Sequence, residues 1–475
     1  MRIITQSKIT VVSFVIALLL SVSFVSFAQQ SNSVESKLYE MYNNDARLQS
    51  AYVGMHVVDL QNDSVVASLN AKKSMLPASI MKLYTTATAL HYLGPDFQYK
   101  TYISYTGTID AKGMLDGNIV IHGAGDPTLG SKLFPERKSF LDTIVQKVLD
   151  FGITSVKGQI IIDCSIFDSQ AIPTSWVWED LGRSYAAGVY PIAINDNTFS
   201  ITFSSPQHDT LQRKGLSKVE NRIPPAITAS PYEIESNDSV GFDKKRGSFV
   251  VRGSIPAPQE IVGVELVQRF IDKGLFNYRQ DYMPVVIPVP GIKDTIGVLV
   301  SPSLQEIVTV INEQSNNNYA EHLVKYLGYT VYKDGSFSAG TKAVTDYTDS
   351  IGVADKSLVM NDGSGLSRFN VTSAAHMTQF LKQMKLQNTY SVFYKSLPVA
   401  NQTGTLKAYG FPSEMTGKIV AKTGSMTRVR NLAGYMTTKS GKELAFTLMI
   451  NGHDCSAREA RAIIVSMLQT IYNAY

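Results

Sequence analysis

Cysteine is scarce in this chain, and no pattern that would hold a metal ion is visible. The 475 residues include two cysteines, Cys164 and Cys455, which lie far apart in the sequence. The seven histidines form no His-x-x-x-His pair and no Cys/His cluster, so no zinc ligand set is apparent. We therefore expect no metal, no cofactor, and two buried thiols rather than a disulfide.

Concentrated positive charge is also lacking. Lys and Arg together number 44 against 40 Asp and Glu, without a long Lys/Arg-rich block. Because phosphate contacts need clustered cations, nucleic acid is excluded as an expected partner.

The N-terminal segment, residues 1–28, has the pattern of a cleaved secretory signal. Arg2 and Lys8 precede an apolar run from Ile9 to Phe27, and small residues stand where signal peptidase reads. The run approaches the roughly 20 apolar residues of a membrane span, but no Lys/Arg cluster follows it. Cleavage leaves 44 − 2 = 42 basic residues against 40 acidic ones, a net charge of +2. We expect secretion across the inner membrane to the periplasm or cell envelope, with peripheral membrane association and oligomeric state left open.

Alternating apolar and polar residues predict strands near both ends of the chain. Tyr52 to Leu60 and Ser64 to Leu69 flank a polar turn, which is typical of a hairpin. Three strands and a terminal helix are predicted near the C-terminus: Lys418 to Ala421, Asn431 to Thr437, Glu443 to Ile450, and Ala457 to Tyr472. Because a lone hairpin is marginally stable, we expect the two ends to complete one sheet.

The middle of the chain has a different residue pattern from its two ends. Residues 98–290 contain short β-rich runs, turns and proline clusters, whereas helical periodicity returns at Ser303 to Leu327 and at Ser373 to Met384. We predict an α+β protein in which residues 29–97 and 291–475 form one domain. The β-rich region at 98–290 is predicted to be an insertion of two nested domains.

A candidate nucleophile stands in the sequence Ser79-Ile80-Met81-Lys82. A serine needs a nearby base, and the i, i+3 spacing puts Lys82 one helical turn from Ser79. The apolar stretch to Leu93 ends at Gly94, a natural helix stop. Ser79 would then lie at the positive end of a helix dipole, which favours an oxyanion.

Two further motifs follow Ser79-Ile80-Met81-Lys82 along the chain. Ser315-Asn316-Asn317 precedes a helical stretch, and Lys422-Thr423-Gly424-Ser425 ends a predicted strand. Each motif alone is common in loops and turns. In the order Ser-x-x-Lys, Ser-x-Asn, Lys-Thr-Gly, they resemble the signature of serine β-lactamases and penicillin-binding proteins.

The residues of this signature divide by chemistry. Ser79 is expected to attack a carbonyl between two D-alanines, with neutral Lys82 as its base. Ser315 would relay a proton to the leaving amine, and Asn317 would orient Lys82 and the substrate amide. The remaining assignments are Lys422 and Thr423 for the terminal carboxylate, Gly424 for close approach of the strand, and the N–H groups of Ser79 and Ser425 for the oxyanion hole.

The sequence distance between the first and second motifs distinguishes the possible relatives. Ser79 and Ser315 are 315 − 79 = 236 positions apart, which resembles the D-alanyl-D-alanine carboxypeptidase/endopeptidase family of class C penicillin-binding proteins (peptidase family S13, penicillin-binding protein 4 type). The runs Gly123 to Leu129, Trp176 to Asp180, Asn361 to Arg368 and Gly404 to Leu406 are similar to that family's. The resemblance implies a transpeptidase-like domain, an antiparallel sheet flanked by helices, with β-rich inserted domains.

The resemblance also implies a substrate and partners. The expected substrates are peptidoglycan stem peptides, and β-lactams are expected as covalent inhibitors. Arg368 is implied to meet the distal carboxylate of the stem peptide's diamino acid and Asp180 or Glu179 its amino group. Tyr185 and Trp176 are implied to be apolar walls of that site.

Three alternatives stay open. A β-lactamase would need a deacylating Glu, and the glutamates between Asn317 and Lys422 are Glu321 and Glu414, neither in a Glu-x-x-x-Asn loop. A non-catalytic envelope protein that binds peptidoglycan or senses β-lactams is the second. The third is an unrelated hydrolase that uses Ser364, which lacks a Gly-x-Ser-x-Gly elbow.

Overall fold

The computed structural model describes residues 33–204, 241–243, 248–277 and 281–475. The predicted signal segment at 1–28 lies outside these ranges. Across the ranges that are described, no helix has the length and apolar character that a bilayer span needs.

The secondary structure of the described residues mixes helices and strands throughout. The strands are β1 (Tyr52–Asp59), β2 (Val65–Leu69), β3 (Lys100–Thr106), β4 (Thr108–Ile109), β5 (Met114–Asp116), β6 (Ile119–His122), β7 (Ser155–Val156), β8 (Ile160–Asp163), β9 (Thr198–Ser204), β10 (Gly241–Asp243), β11 (Ser248–Ser254), β12 (Tyr282–Val285), β13 (Ile292–Val300), β14 (Ile419–Met426), β15 (Val429–Thr437) and β16 (Glu443–Asn451). The α-helices are α1 (Val34–Asn44), α2 (Lys82–Leu93), α3 (Phe140–Asp150), α4 (Pro258–Asp272), α5 (Leu304–Gln314), α6 (Asn317–Tyr332), α7 (Phe337–Ser350), α8 (Ala374–Met384), α9 (Tyr390–Lys395) and α10 (Ala457–Ala474).

The two ends of the chain form one antiparallel sheet, as their alternating pattern predicts. Its strand order is β14-β15-β16-β1-β2, and β1 pairs along its whole length with β16, from Tyr52 opposite Asn451 to Asp59 opposite Leu444. Strand β14 lies at the edge of this sheet. Residues 398–400 hydrogen-bond to its outer side at Ile419 and Ala421, so the part of this edge left for a ligand begins at Lys422.

Each face of the terminal sheet covers a separate apolar core. Val53, Met55 and Val57 face a core shared with α10 and α1. Ala433 and Met449 belong to the core on the other side, which α2 and α5 to α8 fill. The sheet is thus sandwiched between helices, and α2, which follows Ser79, is a buried central helix.

The inserted region has sheets of its own. A mixed sheet has the order β12-β8-β6-β3-β13 and packs against α3 and α4, while β10-β11-β9 and β4-β5-β7 form smaller sheets. Because β13 pairs with β3, the inserted sheet continues to Val300, past the boundary predicted at residue 290. The division of the insertion into two nested domains stays a prediction.

The two cysteines are unpaired. Cys164 is buried in the inserted core, whereas Cys455 is partly exposed, so the prediction of two buried thiols was wrong for Cys455. Burial raises the pKa of the Cys164 thiol to about 12, which leaves it protonated and unreactive at neutral pH.

Candidate active site

Ser79 lies in a tight turn at the entrance to α2. A 3-10 turn, Ala78–Met81, runs directly into the helix, and Ser79 is partly exposed. The preceding residue, Ala78, has a φ of 48°, a left-handed conformation that costs a non-glycine residue about 1–3 kcal/mol and persists only where its surroundings enforce it.

Neighbouring strands hold that turn in place. The side-chain amide of Asn431 donates to the carbonyls of Leu76 and Pro77, at 2.8 and 2.7 Å. Asn451 accepts from the Leu76 N–H at 2.7 Å. The chain before the candidate nucleophile is therefore fixed to β15 and β16 of the sheet.

Lys82 is the centre of the hydrogen-bond network around Ser79. Its fully buried amine contacts Ser79 Oγ at 3.0 Å, and it donates to Asn317 Oδ1 and to the Ser364 carbonyl, both at 2.6 Å. Burial lowers the pKa of Lys82 from 10.5 to about 7, against the opposing attraction of Glu321 and Asp362. A substantial fraction is therefore neutral near pH 7, as a general base requires.

The break between α5 and α6 presents two predicted site residues. The helical pattern predicted a continuous stretch, but Ser315 has a φ of 57° and ends α5. Asn316 then caps α6, because its side chain accepts the Tyr319 N–H at 3.0 Å. The Asn316 side chain is thus occupied by the helix, whereas Asn317 contacts Lys82.

Strand β14 carries the third motif to the same place. Lys422 is fully buried, and its amine donates to Ser315 Oγ at 2.9 Å and to the Thr423 carbonyl at 3.0 Å. Burial, and secondarily the charge of Lys82, lower the Lys422 pKa well below its usual value. An anion bound beside Lys422 would favour its charged form.

Two neighbours of Lys422 complete this edge of the site. A Cβ on Gly424 would lie 2.6 Å from the Pro77 carbonyl oxygen, so this position has no room for a side chain. Ser425, next along the edge strand, is exposed. Strand and nucleophile turn are therefore in direct contact.

The five predicted catalytic residues thus come together from three separate segments. Lys82 joins Ser79 to Asn317, and Lys422 joins β14 to Ser315. A nucleophile, an amine with a lowered pKa, a second hydroxyl and a second buried amine are the groups that serine acyl transfer needs.

A model of one protein family matches nearly all of the described chain. The match is to the D-Ala-D-Ala carboxypeptidase 3 (S13) family, over residues 34–274 and 285–471. This chain belongs to that family. The D-alanyl-D-alanine carboxypeptidase DacB of Haemophilus influenzae is 26% identical over 446 residues, covering 89% of this chain and 90% of the relative. The D-alanyl-D-alanine carboxypeptidase of Actinomadura sp. is 28% identical over 440 residues, covering 86% and 79%.

Solved structures share the fold of this chain. Penicillin-binding protein 4 of Haemophilus influenzae superposes with a TM-score of 0.76 at 22% identity, covering 92% of this chain and 98% of that one. The structure of the same protein with a β-lactam superposes with a TM-score of 0.71. The predicted fold class, an α+β transpeptidase-like domain with β-rich insertions, is confirmed.

The insertion of this S13 chain contributes a residue to the site region through Trp176. The indole N–H of Trp176 donates to Asp362 Oδ2 at 2.8 Å, and Trp176 is only 7% exposed. Trp176 therefore supports Asp362, and its role as an apolar wall for substrate stays a prediction. The neighbouring aromatic Trp178 is 77% exposed instead.

Asp362 and Glu321 are buried carboxylates that support the site. The sequence did not predict this supporting role for either residue. Asp362 accepts from the N–H groups of Gly365 and Ser367, at 2.8 and 2.5 Å. Glu321 accepts from the N–H groups of Gly363 and Ser364, at 2.9 and 2.7 Å. Together these carboxylates shape the loop whose Ser364 carbonyl receives Lys82. Burial and the charge of Asp362 raise the pKa of Glu321.

The predicted substrate-recognition residues Arg368 and Asp180 are both accessible to solvent. Arg368 is exposed, beside the exposed Phe369. Asp180 is partly exposed and accepts from the Tyr185 hydroxyl at 2.6 Å, while the Tyr185 carbonyl accepts from Asn317 Nδ2 at 2.8 Å. Asn317 is therefore linked both to Lys82 and to the insertion.

Two other serines with catalytic potential, Ser364 and Ser104, are buried. Ser364 is fully buried, which leaves the unrelated-hydrolase alternative without an accessible nucleophile. A Ser104–His122–Asp163 array on the inserted sheet has contacts of 2.6 and 3.0 Å, but Ser104 is 1% exposed. It ties β3, β6 and β8 together. Among the residues the structure describes, no group of three or more His, Cys, Asp and Glu side chains is arranged to hold a metal ion.

Proposed function

We propose that this chain is a serine DD-peptidase of the cell envelope that cleaves peptidoglycan stem peptides beside a D-alanine. The reaction would be D-Ala-D-Ala carboxypeptidase or DD-endopeptidase cleavage through a Ser79 acyl-enzyme. The observation that carries the proposal is the Lys82 amine, which contacts Ser79 Oγ at 3.0 Å and has a pKa lowered to about 7.

Acylation begins at Ser79. Neutral Lys82 takes the hydroxyl proton as Ser79 Oγ attacks the carbonyl carbon of the D-alanyl peptide bond. The carbonyl oxygen becomes an oxyanion, for which the N–H groups of Ser79 and Ser425 would be the donors. Asn317 Oδ1 holds the Lys82 amine toward the serine during this step.

Collapse of the tetrahedral intermediate breaks the bond to nitrogen. The leaving amine needs a proton. Ser315 would pass its own proton to that amine and recover the one that Lys82 took from Ser79, so that Lys82 is neutral again. Lys422 has a low pKa without a bound anion, and a terminal D-alanine carboxylate would stabilise its charged form. Thr423 and Gly424 would then align the substrate along the edge of β14. Water attacks the ester in the second half of the cycle and regenerates Ser79.

The geometry of Glu321 favours a DD-peptidase over a β-lactamase. Fast turnover of a β-lactam acyl-enzyme of class A type needs a glutamate that holds the deacylating water. Both oxygens of Glu321 instead accept backbone N–H groups of the loop that follows Asp362. We expect β-lactams to remain bound to Ser79 and to act as inhibitors.

The relatives support the substrate, and the N-terminal pattern supports the location. Proteins named D-alanyl-D-alanine carboxypeptidase align over most of this chain, and the solved Haemophilus influenzae penicillin-binding protein 4 binds a β-lactam. The secretory pattern at residues 1–28 supports export to the periplasm, where peptidoglycan would be the substrate. The alternative of a non-catalytic binding or sensing protein would leave the buried Lys82 and Lys422 amines without a purpose.

Mass spectrometry of muropeptides tests the proposal. The mature protein, Ser79→Ala and the matched surface variant Ser338→Ala, whose serine is exposed on α7, are incubated with isolated peptidoglycan digests. We expect loss of one alanine from pentapeptide monomers, conversion of cross-linked dimers to monomers, or both, for the wild type and Ser338→Ala alone. Equal product from Ser79→Ala would contradict the proposal.

A further inference from the structure

A positively charged cleft lies beside the candidate active site. Its volume is about 480 Å³, and Ser315 and Asn317 line it together with Lys132 and Arg252 of the insertion. This volume lies within the range of roughly 300–1,000 Å³ that small-molecule sites occupy. The cleft is therefore large enough for part of a peptide, and it reaches the catalytic hydroxyl of Ser315.

The charges in the cleft suit an anion. Lys132 and Arg252 are both exposed, and neither forms an ion pair with any carboxylate in the ranges that are described. The N-terminus of the 16-residue helix α6, at Asn316 and Asn317, opens into the same cleft. Its positive dipole end adds to the attraction of the two cations.

Asp196 is the acidic residue among the described lining residues, so two cations face one carboxylate and the formal charge of this described lining is +1. Asp196 is 8% exposed, and its Oδ1 accepts from Ser131 Oγ at 2.5 Å and from the Tyr319 hydroxyl at 3.0 Å. It forms no ion pair with Lys132 or Arg252, so within the described part of the chain both cations can still meet an anionic ligand.

We propose that Lys132 and Arg252 bind a carboxylate of the leaving strand of a cross-linked stem peptide in this cleft, and so favour cross-linked dimers over monomers as substrates. The inference rests on the proposed function. Ser315, which would protonate the leaving amine, lines the cleft, so a chain attached to that amine can continue into it. A carboxypeptidase releases free D-alanine and needs no such groove, whereas an endopeptidase releases a second peptide that carries its own carboxylates.

Comparing two substrates isolates the contribution of the leaving strand to binding. A pentapeptide monomer and a cross-linked tetrapeptide dimer share the same acyl strand and differ in what the leaving amine carries. A variant that weakens acyl-strand binding therefore slows both reactions, and one that weakens leaving-strand binding slows only cleavage of the dimer.

The test uses the full mature chain with the charge-reversed variant Lys132→Glu/Arg252→Glu. The matched control is Lys273→Glu, an exposed cation of the same insertion outside the cleft. We expect kcat/KM for the dimer to fall at least about tenfold, about 1.4 kcal/mol, in the cleft variant. Its kcat/KM for the monomer and its rate of acylation by benzylpenicillin stay within about twofold of wild type, and Lys273→Glu matches wild type throughout. Normal acylation also verifies that the variant is folded.

The second measurement uses a dimer amidated at the leaving-strand carboxylates other than the one on the carbon that bears the leaving amine. That carboxylate stays free because it is the group expected to bind Lys422 and Thr423. The wild type should cleave the amidated dimer at least about tenfold more slowly than the native dimer, while the cleft variant should not distinguish the two. Equal slowing of monomer and dimer by the cleft variant, or no slowing of either, overturns the inference. So does a wild type that trims monomers in a Ser79-dependent manner but leaves dimers intact, although that result preserves the proposed function. A wild type that acts on neither substrate and is not acylated at Ser79 refutes the proposed function itself.

Discussion

Replacing Trp176 by phenylalanine distinguishes an internal support from a substrate wall. The variant keeps an aromatic ring but loses the N–H that donates to Asp362 at 2.8 Å. A hydrogen bond to a charged group contributes about 1.5–3 kcal/mol. Because Asp362 keeps its donors from Gly365, Ser367 and Asn370, we expect the lower end, a loss of about 1.5 kcal/mol in the free energy of unfolding.

Trp176→Phe should also weaken the hydrogen bond that positions the Lys82 amine. Asp362 holds the loop whose Ser364 carbonyl accepts the Lys82 amine at 2.6 Å. If all of the lost free energy were expressed at that contact, acylation of Ser79 would slow by about tenfold, which is an upper limit. We expect a lower thermal unfolding midpoint and slower acylation by a fluorescent penicillin.

The chain supplies its own control for Trp176→Phe. Trp178 is two residues away and 77% exposed, so Trp178→Phe should change the free energy of unfolding by less than about 0.5 kcal/mol. These are the two tryptophans of the sequence, so each variant leaves one reporter. The indole of Trp176 should emit at shorter wavelength and resist acrylamide quenching. An unchanged unfolding midpoint and penicillin acylation rate, with a raised KM for peptide alone, would support Trp176 as a wall and refute the reasoning.

Three further predictions concern the same network. The rate of acylation by benzylpenicillin should rise with pH through about 7, because burial lowers the Lys82 pKa to that value and only the neutral amine accepts a proton; a flat profile would contradict this. Asn431→Ala removes the donors to the Leu76 and Pro77 carbonyls, so it should slow acylation of Ser79 by about tenfold or more. Asn388→Ala, at an exposed position, should acylate at the wild-type rate. Equal acylation rates for the two variants would argue against this support. Gly365→Ala would put a Cβ 1.9 Å from the Ala78 carbonyl oxygen at a φ of 83°, so soluble yield or acylation should collapse, and a normally active variant would be inconsistent with that packing.

The sequence predicted the terminal sheet well because its signal is local. Runs of apolar residues at β1, β15 and β16 predict strands, and successive side chains of a strand face opposite sides of the sheet. Both faces of β1 and β16 are buried in the structure, which fits their places inside the sheet, but their pairing with each other depends on contacts distant in the sequence.

The break at Ser315 illustrates what periodicity does not reveal. Apolar residues keep a helical spacing across it, but Ser315 adopts a left-handed conformation and Asn316 starts a new helix. The exact place of such a break depends on contacts such as that with Lys422, which is distant in the sequence.

The supports of the site were only partly visible in the sequence. Asn431 is 1% exposed, so an amide at an inward position of an apolar strand was the available signal. Trp176 and Trp178 stand two residues apart, and their opposite environments follow from long-range contacts with Asp362. Local pattern therefore located the candidate reacting groups, whereas tertiary packing determines the residues that hold them.

The most direct test of the account is to locate the covalent adduct. The mature protein is treated with benzylpenicillin, digested, and mapped by mass spectrometry alongside Ser79→Ala. We expect one stable penicilloyl group on the peptide that contains Ser79 and none in the variant. An adduct on another residue, or none on the folded wild type, would contradict the assignment of Ser79 as the acylated nucleophile.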